Sequence, residues 1–79
     1  MKLPRNISGQ ELVKILTQLG YQKVQQKGSH IKVTTSINGQ HHLAIPNHSP
    51  IKTGTLNSIL RQAANHFGKT KEEIIEILF

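Results

Sequence analysis

A histidine and a lysine two positions apart, His30 and Lys32, are the residues in this sequence best suited to chemistry. An imidazole that titrates near neutral pH can take a proton from a ribose 2′-hydroxyl, and a nearby ammonium group can stabilise the charge that builds on an attacked phosphate. Alternate residues of a β-strand point to the same face, so the two groups could share one ligand. A solvated strand histidine beside a turn accounts for the same pair, and the residues alone favour that plainer interpretation.

The residues around this pair predict two strands joined by a turn. Apolar and polar residues alternate from His30 to Thr35, which indicates a strand with one solvent-facing side. Gly28 and Ser29 form the turn before it, and residues 21–27, with Val24 as the one strongly apolar member, indicate a half-exposed first strand. If Val24 points inward, three polar residues join the face of His30: Lys23, Gln25 and Lys27.

The pairing of the third strand depends on the length of the loop before it. A two-residue loop at Asn38 and Gly39 would set apolar residues opposite polar ones. A three-residue loop over residues 37–39, with Gly39 left-handed, instead pairs Val33 with Leu43 and Ile31 with Ile45. This register places His42 opposite Thr34 and gives the sheet one basic, open face.

Helices are predicted before and after the strands. Ser8 and Glu11 have the spacing of a capping box, and apolar residues then recur at helical intervals until Gly20. Thr53 or Gly54 can cap a second helix, whose apolar stripe consists of Leu56, Ile59, Leu60, Ala63, Ala64 and Phe67.

A short last helix is predicted from Thr70, whose spacing to Glu73 repeats the capping box, and its apolar content favours docking on another surface. We therefore expect an α+β fold of order α-β-β-β-α plus this terminal helix. The three-stranded antiparallel sheet would carry helices on one face, as in double-stranded RNA-binding domains. With 79 residues, the chain, 1–79, is expected to form a single domain that cannot enclose a large cofactor.

Positive charge is concentrated in the main body of the chain. Residues 1–68 contain eight basic residues and one acid, whereas residues 69–79 contain two basic residues and three acids. The formal charge of +6 suits a phosphate backbone or another acidic surface. Lys52, near the start of the second helix, adds its charge to the helix end and is expected to contact phosphate. For His48, in the same region, a plain surface-loop position is at least as well supported as a phosphate contact.

Other chemistries find little support. The adjacent His41 and His42 point to opposite faces of a strand, there is no cysteine, and three of the four acids lie in the last helix, so neither a metal nor any other cofactor is expected. Arg61 and His66 are assigned to the solvated side of the second helix, and few aromatic side chains are available for base stacking. No segment has the pattern of a signal peptide or a membrane span, so we expect a cytoplasmic protein without a membrane partner.

Four segments of the chain lie within roughly residues 8–64. In chain order they are GQELVKILTQLGY, GSHIKV, IPNH and KTGTLNSILRQA. Together they resemble the HicA toxins of bacterial and archaeal toxin-antitoxin pairs. The G-S-H step followed about 25 residues later by G-T-L-x-x-I-L is fairly specific as a combination. Ile31 stands where many relatives have a second histidine or another bulky residue, and by alternation it faces the core.

The resemblance implies a small mRNA interferase whose catalytic residue is the histidine of the G-S-H step, here His30. On that basis we favour catalysis without a metal: His30 removes the proton of a 2′-hydroxyl that attacks the adjacent phosphate, and Lys32 stabilises the transition state. His42 or a water could protonate the leaving oxygen. Contacts to mRNA are expected from Lys23, Lys27, Ser29, Lys32, His42 and Lys52. The resemblance also implies an antitoxin partner, HicB, that covers His30.

Two other functions fit the same residues. A non-catalytic RNA-binding module would use the basic face without cleaving its ligand, and would leave RNA intact at every time point in EDTA. A protein interaction domain would dock an acidic partner on that face and would have no affinity for RNA.

Overall fold

A computed structural model describes residue 3 and residues 6–79 of the protein. Its elements are helix α1 (Gly9–Leu16) with a following 3₁₀ turn (Thr17–Leu19), strands β1 (Gln22–Lys27), β2 (His30–Thr35) and β3 (His41–Pro46), and helices α2 (Thr53–Phe67) and α3 (Lys71–Leu78). The predicted element order is confirmed. Residues 1, 2, 4 and 5, part of the segment inspected for a signal peptide, lie outside the described residues. Among the helices of the described part, none combines the length and the apolar character that a bilayer crossing requires.

Both predicted capping boxes are present. The Ser8 hydroxyl accepts a hydrogen bond from the Glu11 amide at 3.1 Å, and the Glu11 carboxylate accepts one from the Ser8 amide at 2.9 Å. Thr70 and Glu73 make the same two bonds at the start of α3. Each box satisfies two amides that have no partner within the helix, so both helices begin where their sequences predict.

The strands form an antiparallel sheet in the order β1-β2-β3. The β2–β3 register is the predicted one: Val33 pairs with Leu43, Ile31 with Ile45 and Thr34 with His42. Gly39 is left-handed with a φ of 94°, as expected. The regular strands stop at Thr35 and His41, so the connecting loop consists of residues 36–40.

The helices cover one face of this sheet and leave the other open. The buried strand residues Ile31, Val33, Leu43 and Ile45 form a core with the α2 stripe Leu56, Ile59, Leu60, Ala63 and Ala64. Burying each large apolar side chain stabilises the fold by about 1.5–3 kcal/mol. Helix α3 packs against α2 and buries Ile74, Ile75 and Leu78, so the terminal helix docks on its own chain.

Two local predictions are wrong. Val24 does not point inward: its side chain is 59% exposed, because a β-bulge between Lys23 and Gln25 inserts an extra residue into the edge strand. Helix α2 is not capped by Thr53 or Gly54; its N-cap is Lys52, and no side chain caps the helix.

Candidate active site

The open face of the sheet carries a shallow depression of about 440 Å³, here called the open-face groove. Its main lining residues are Gln25, Lys27, His30, Lys32, His42 and Ala44. Two lysines and two histidines therefore share one concave surface, and no acidic side chain lines it among the residues described. Such a surface attracts an anion and leaves the imidazoles accessible to it.

The closest cation to His30 by strand register is Lys27. The two residues are direct partners across β1 and β2, separated only by the turn residues Gly28 and Ser29. Directly opposed residues of antiparallel strands have Cα atoms about 4.5–5.5 Å apart and place their side chains on the same face. Lys32 lies two residues further along β2, about 7 Å from His30. The His30 side chain thus shares one face of the sheet with two lysine side chains.

Gly28 makes this short connection possible. Its φ of 58° lies in the left-handed region, and a Cβ built on it would meet no atom within 4 Å. The position therefore needs glycine for its backbone conformation and not for space. A two-residue hairpin with glycine in its first position matches the twist of the flanking strands, so the G-S-H step fixes His30 as the first residue of β2.

The segment after β3 supports this turn from outside the sheet. The Asn47 amide donates to the Ser29 carbonyl at 2.6 Å, and the Gly9 amide donates to the His48 carbonyl at 2.9 Å. A Cβ on Gly9 would collide with the Pro46 carbonyl oxygen. The start of α1 consequently approaches this segment as closely as glycine allows, and residues 46–48 link α1 to the G-S-H turn.

His42 lies at the other end of the open-face groove. Its Nδ1 is 2.6 Å from the Thr34 hydroxyl, its cross-strand partner. Thr34 is four residues from His30 along β2, which corresponds to about 13 Å. The two histidines therefore face the same groove from backbone positions well separated along the strands.

Three residues predicted to contact RNA, Lys23, Lys52 and Ser29, lie outside the groove lining. Lys23 pairs with Val33, which places it on the helix-covered side of β1, where its Nζ donates to Gln26 Oε1 at 2.9 Å. The β-bulge places Lys23 on this side, because it reverses the alternation of side chains between Lys23 and Gln25. Lys52 is exposed at the N-cap of α2. Ser29 is exposed in the turn beside His30.

A histidine cluster that the sequence did not reveal joins the β2–β3 loop to α2. His66 is not simply solvated: its ring stacks on His41 with centroids 4.5 Å apart, and its Nε2 bonds the Ile37 carbonyl at 2.9 Å. The buried Tyr21 hydroxyl lies 2.7 Å from His41 Nδ1. Burial raises the pKa of Tyr21 to about 12, so the phenol stays protonated and forms a hydrogen bond with His41 Nδ1.

Protonation of His41 is opposed by its surroundings. Burial is the main cause of a lowered pKa for this imidazole, and the nearby His66 and His42 lower it further. This cluster is structural, and it lies on the covered side of the sheet, away from the groove.

Among residues 3 and 6–79, no three histidine or acidic side chains are grouped so that they could hold a metal ion. A protein-family model described as "HicA toxin of bacterial toxin-antitoxin" matches residues 9–64. No curated protein and no solved structure matched the chain. Because the family match spans most of the sequence, and includes the G-S-H turn and α2, the chain belongs to the HicA family of bacterial toxin-antitoxin toxins.

Proposed function

We propose that the chain is an RNA-cleaving toxin, a metal-independent endoribonuclease of mRNA with His30 as general base. The observation that carries this proposal is the position of His30: it is exposed, it lies opposite Lys27, and it shares the open-face groove with Lys32. A base and two cations on one accessible surface match the needs of a phosphodiester whose own 2′-hydroxyl is the nucleophile.

In the proposed reaction the His30 imidazole accepts the proton of a 2′-hydroxyl. The freed oxygen attacks the adjacent phosphorus and forms a bond to it, while the bond from phosphorus to the 5′-oxygen of the next nucleotide breaks. The products are a 2′,3′-cyclic phosphate and a 5′-hydroxyl. Lys27 and Lys32 stabilise the extra negative charge on the non-bridging oxygens in the transition state.

We assign the proton for the leaving 5′-oxygen to water in preference to His42. The attacking and leaving oxygens are bound to one phosphorus atom, whereas about 13 Å separates the positions of His30 and Thr34, the partner of His42. Water at the ammonium group of Lys27 is the donor that fits the register. His42, held by the Thr34 hydroxyl, contacts a neighbouring phosphate instead.

An enzyme with one positioned base should be slow, since a single acid or base contributes about 10²–10⁴-fold. A toxin that acts on abundant mRNA does not need fast turnover. We further propose that the antitoxin partner is a HicB-type protein whose acidic surface covers the open-face groove. Cleavage then begins when the antitoxin is lost.

The test is to incubate the purified protein with a defined RNA in EDTA and to analyse the product ends. We expect cleavage that resists EDTA and yields 2′,3′-cyclic phosphates, and we expect an added cognate antitoxin to stop it. RNA that is bound but remains intact would identify a non-catalytic binding module. Products with 3′-hydroxyl ends would show that another reaction takes place.

A further inference from the structure

A second basic depression lies where α2 meets α3. It has a volume of about 480 Å³, and its charged lining residues are all cations: Arg61, Lys69 and Lys71. Arg61 and Lys69 are exposed, so their charges are available to a ligand. Lys71 is half-buried and donates to Asn57 Oδ1 at 3.0 Å, which ties α3 to α2.

The two depressions are contiguous. Gln62 of α2 lines the open-face groove and also lines the second depression beside Arg61. Helix α2 packs against β3, which is an edge strand of the sheet. A continuous surface therefore leads from His30 and Lys32, around the β3 edge at Gln62, to Arg61 and Lys69.

One acid close to this surface, Glu73, is already engaged in hydrogen bonds. Glu73 lies near Lys69, but its carboxylate accepts the Thr70 amide, and hydrogen bonds from Thr70 are the main reason that its pKa is lowered. Of the other two acids of α3, Glu72 is also in the first turn, whereas Glu76 lies further along the helix, where its charge would repel phosphates. The positive surface thus has a defined end.

We propose that single-stranded RNA leaving the open-face groove passes over Gln62 and places its flanking phosphates against Arg61 and Lys69. This inference rests on the proposed function and extends it, because the protein then holds several nucleotides on one side of the cleaved bond. A duplex does not fit this path, since a double helix is stiff over far more than the size of this domain and cannot turn from one face to the next. A single strand can.

The experiment measures binding in a His30→Ala background, so that no ligand is cleaved during titration. Fluorescent RNAs of about 3 and about 12 nucleotides are compared, lengths chosen against the roughly 4 to 16 nucleotides of small single-strand-binding domains. The variants are Lys69→Gln, Arg61→Gln with Lys69→Gln, and the control Lys14→Gln, an exposed lysine of α1 outside both depressions. The dissociation constant is followed from about 0.1 M to about 1 M salt.

Each lost phosphate contact should reduce the slope of log K against log salt by about 0.7. We therefore expect Lys69→Gln to weaken binding of the longer RNA about 5-fold at about 0.1 M salt, and the double variant about 25-fold. Binding of the shorter RNA should not change, nor should Lys14→Gln affect either ligand.

Equal losses for both RNA lengths, or for Lys14→Gln and Lys69→Gln alike, would overturn the inference. If the wild-type protein fails to cleave RNA but the length-dependent loss is observed, the nuclease proposal fails and the flanking path stands. If the wild-type protein cleaves RNA but the variants show no length-dependent loss of binding, the nuclease proposal stands and the flanking path fails.

Discussion

Lys27 and His30 are direct cross-strand partners at the closed end of the β1–β2 hairpin, with only Gly28 and Ser29 between them. The spacing is set by a two-residue turn, so the backbone positions of the two residues stay close together. A lysine that could stabilise a phosphate is therefore placed beside the proposed base by local sequence.

His30→Ala is expected to lower the rate of RNA cleavage by about 10²–10⁴-fold, because it removes the proposed general base. The side chain is exposed, so the free energy of unfolding should change by no more than about 0.5 kcal/mol. Initial rates on a fluorescent RNA and a thermal melt measure the two effects. His48→Ala, an exposed histidine in the loop after β3, should retain full activity. Wild-type rates in the His30 variant would place the base elsewhere.

The three lysines of the first hairpin should differ in their effect on cleavage. Lys27→Gln should reduce kcat/KM by about tenfold or more, because Lys27 is directly opposite His30, and Lys32→Gln should have an effect of similar size or smaller. Lys23→Gln should change the rate little, since Lys23 lies on the other side of β1. Steady-state kinetics at fixed salt compares the three. A loss for Lys23→Gln as large as that for Lys27→Gln would contradict the register.

Gly28→Ala should reduce both stability and activity, whereas Gly68→Ala should reduce stability alone. Both glycines are left-handed, with φ of 58° and 65°, and a Cβ built on either would meet no atom within 4 Å. An L-residue in that conformation costs about 1–2 kcal/mol at either site. Only Gly28 positions His30, so only that variant should lose cleavage when both are assayed well below their melting temperatures. Equal activity losses would show that general destabilisation is responsible.

Features that depend on local sequence were predictable. A capping box joins residues three apart, and the β2–β3 register follows from the alternation of apolar residues on both strands. The same reasoning failed for β1, where every residue is exposed. Without a buried side, no pattern specifies the face of Val24 or the position of a bulge.

Contacts between distant residues were not predictable. His66 bonds the Ile37 carbonyl, 29 positions away, and nothing in its neighbourhood on α2 indicates that partner. Gly9 has the same character, because its role depends on the approach of Pro46 and Asn47 from the end of β3. The placement of His30 on an open face followed from the alternation of its own strand, whereas the position of Lys23 on the covered side depends on the bulge in the edge strand β1.

Gly9→Ala should destabilise the protein strongly, although alanine favours helices. The added methyl group would collide with the Pro46 carbonyl oxygen and come within 3.0 Å of Asn47 Cα, so α1 must move away from the segment that supports the G-S-H turn. We expect a loss of about 1–3 kcal/mol from overpacking. Gly54→Ala in α2 is the matched control: it meets nothing within 4 Å and should be neutral or stabilising by up to about 1 kcal/mol. Urea unfolding measures both, and equal midpoints would refute the close approach.

Stability should fall in two steps as the pH is lowered. The pKa of His41 in the folded protein lies below its ordinary value of 6.5, so below that pH the unfolded chain binds a proton that the folded chain resists. This contribution is complete above pH 6.5 and is lost as the pH falls. The carboxyls of Glu11 and Glu73 have pKa values below their ordinary 4.5, because they accept hydrogen bonds from Ser8 and Thr70, and their contribution is lost only below that pH.

His41→Gln should remove the first step and leave the second. The glutamine amide can still form a hydrogen bond with the Tyr21 hydroxyl, but it does not titrate, so only the carboxyl step below pH 4.5 remains. Urea midpoints measured from about pH 7.5 down to about pH 2.5 separate the two, since the ordinary pKa values of histidine and glutamate differ by about two units. If the first step persists unchanged in His41→Gln, another histidine is responsible for it. The stacked cluster of His41 and His66 would then not limit stability in weak acid.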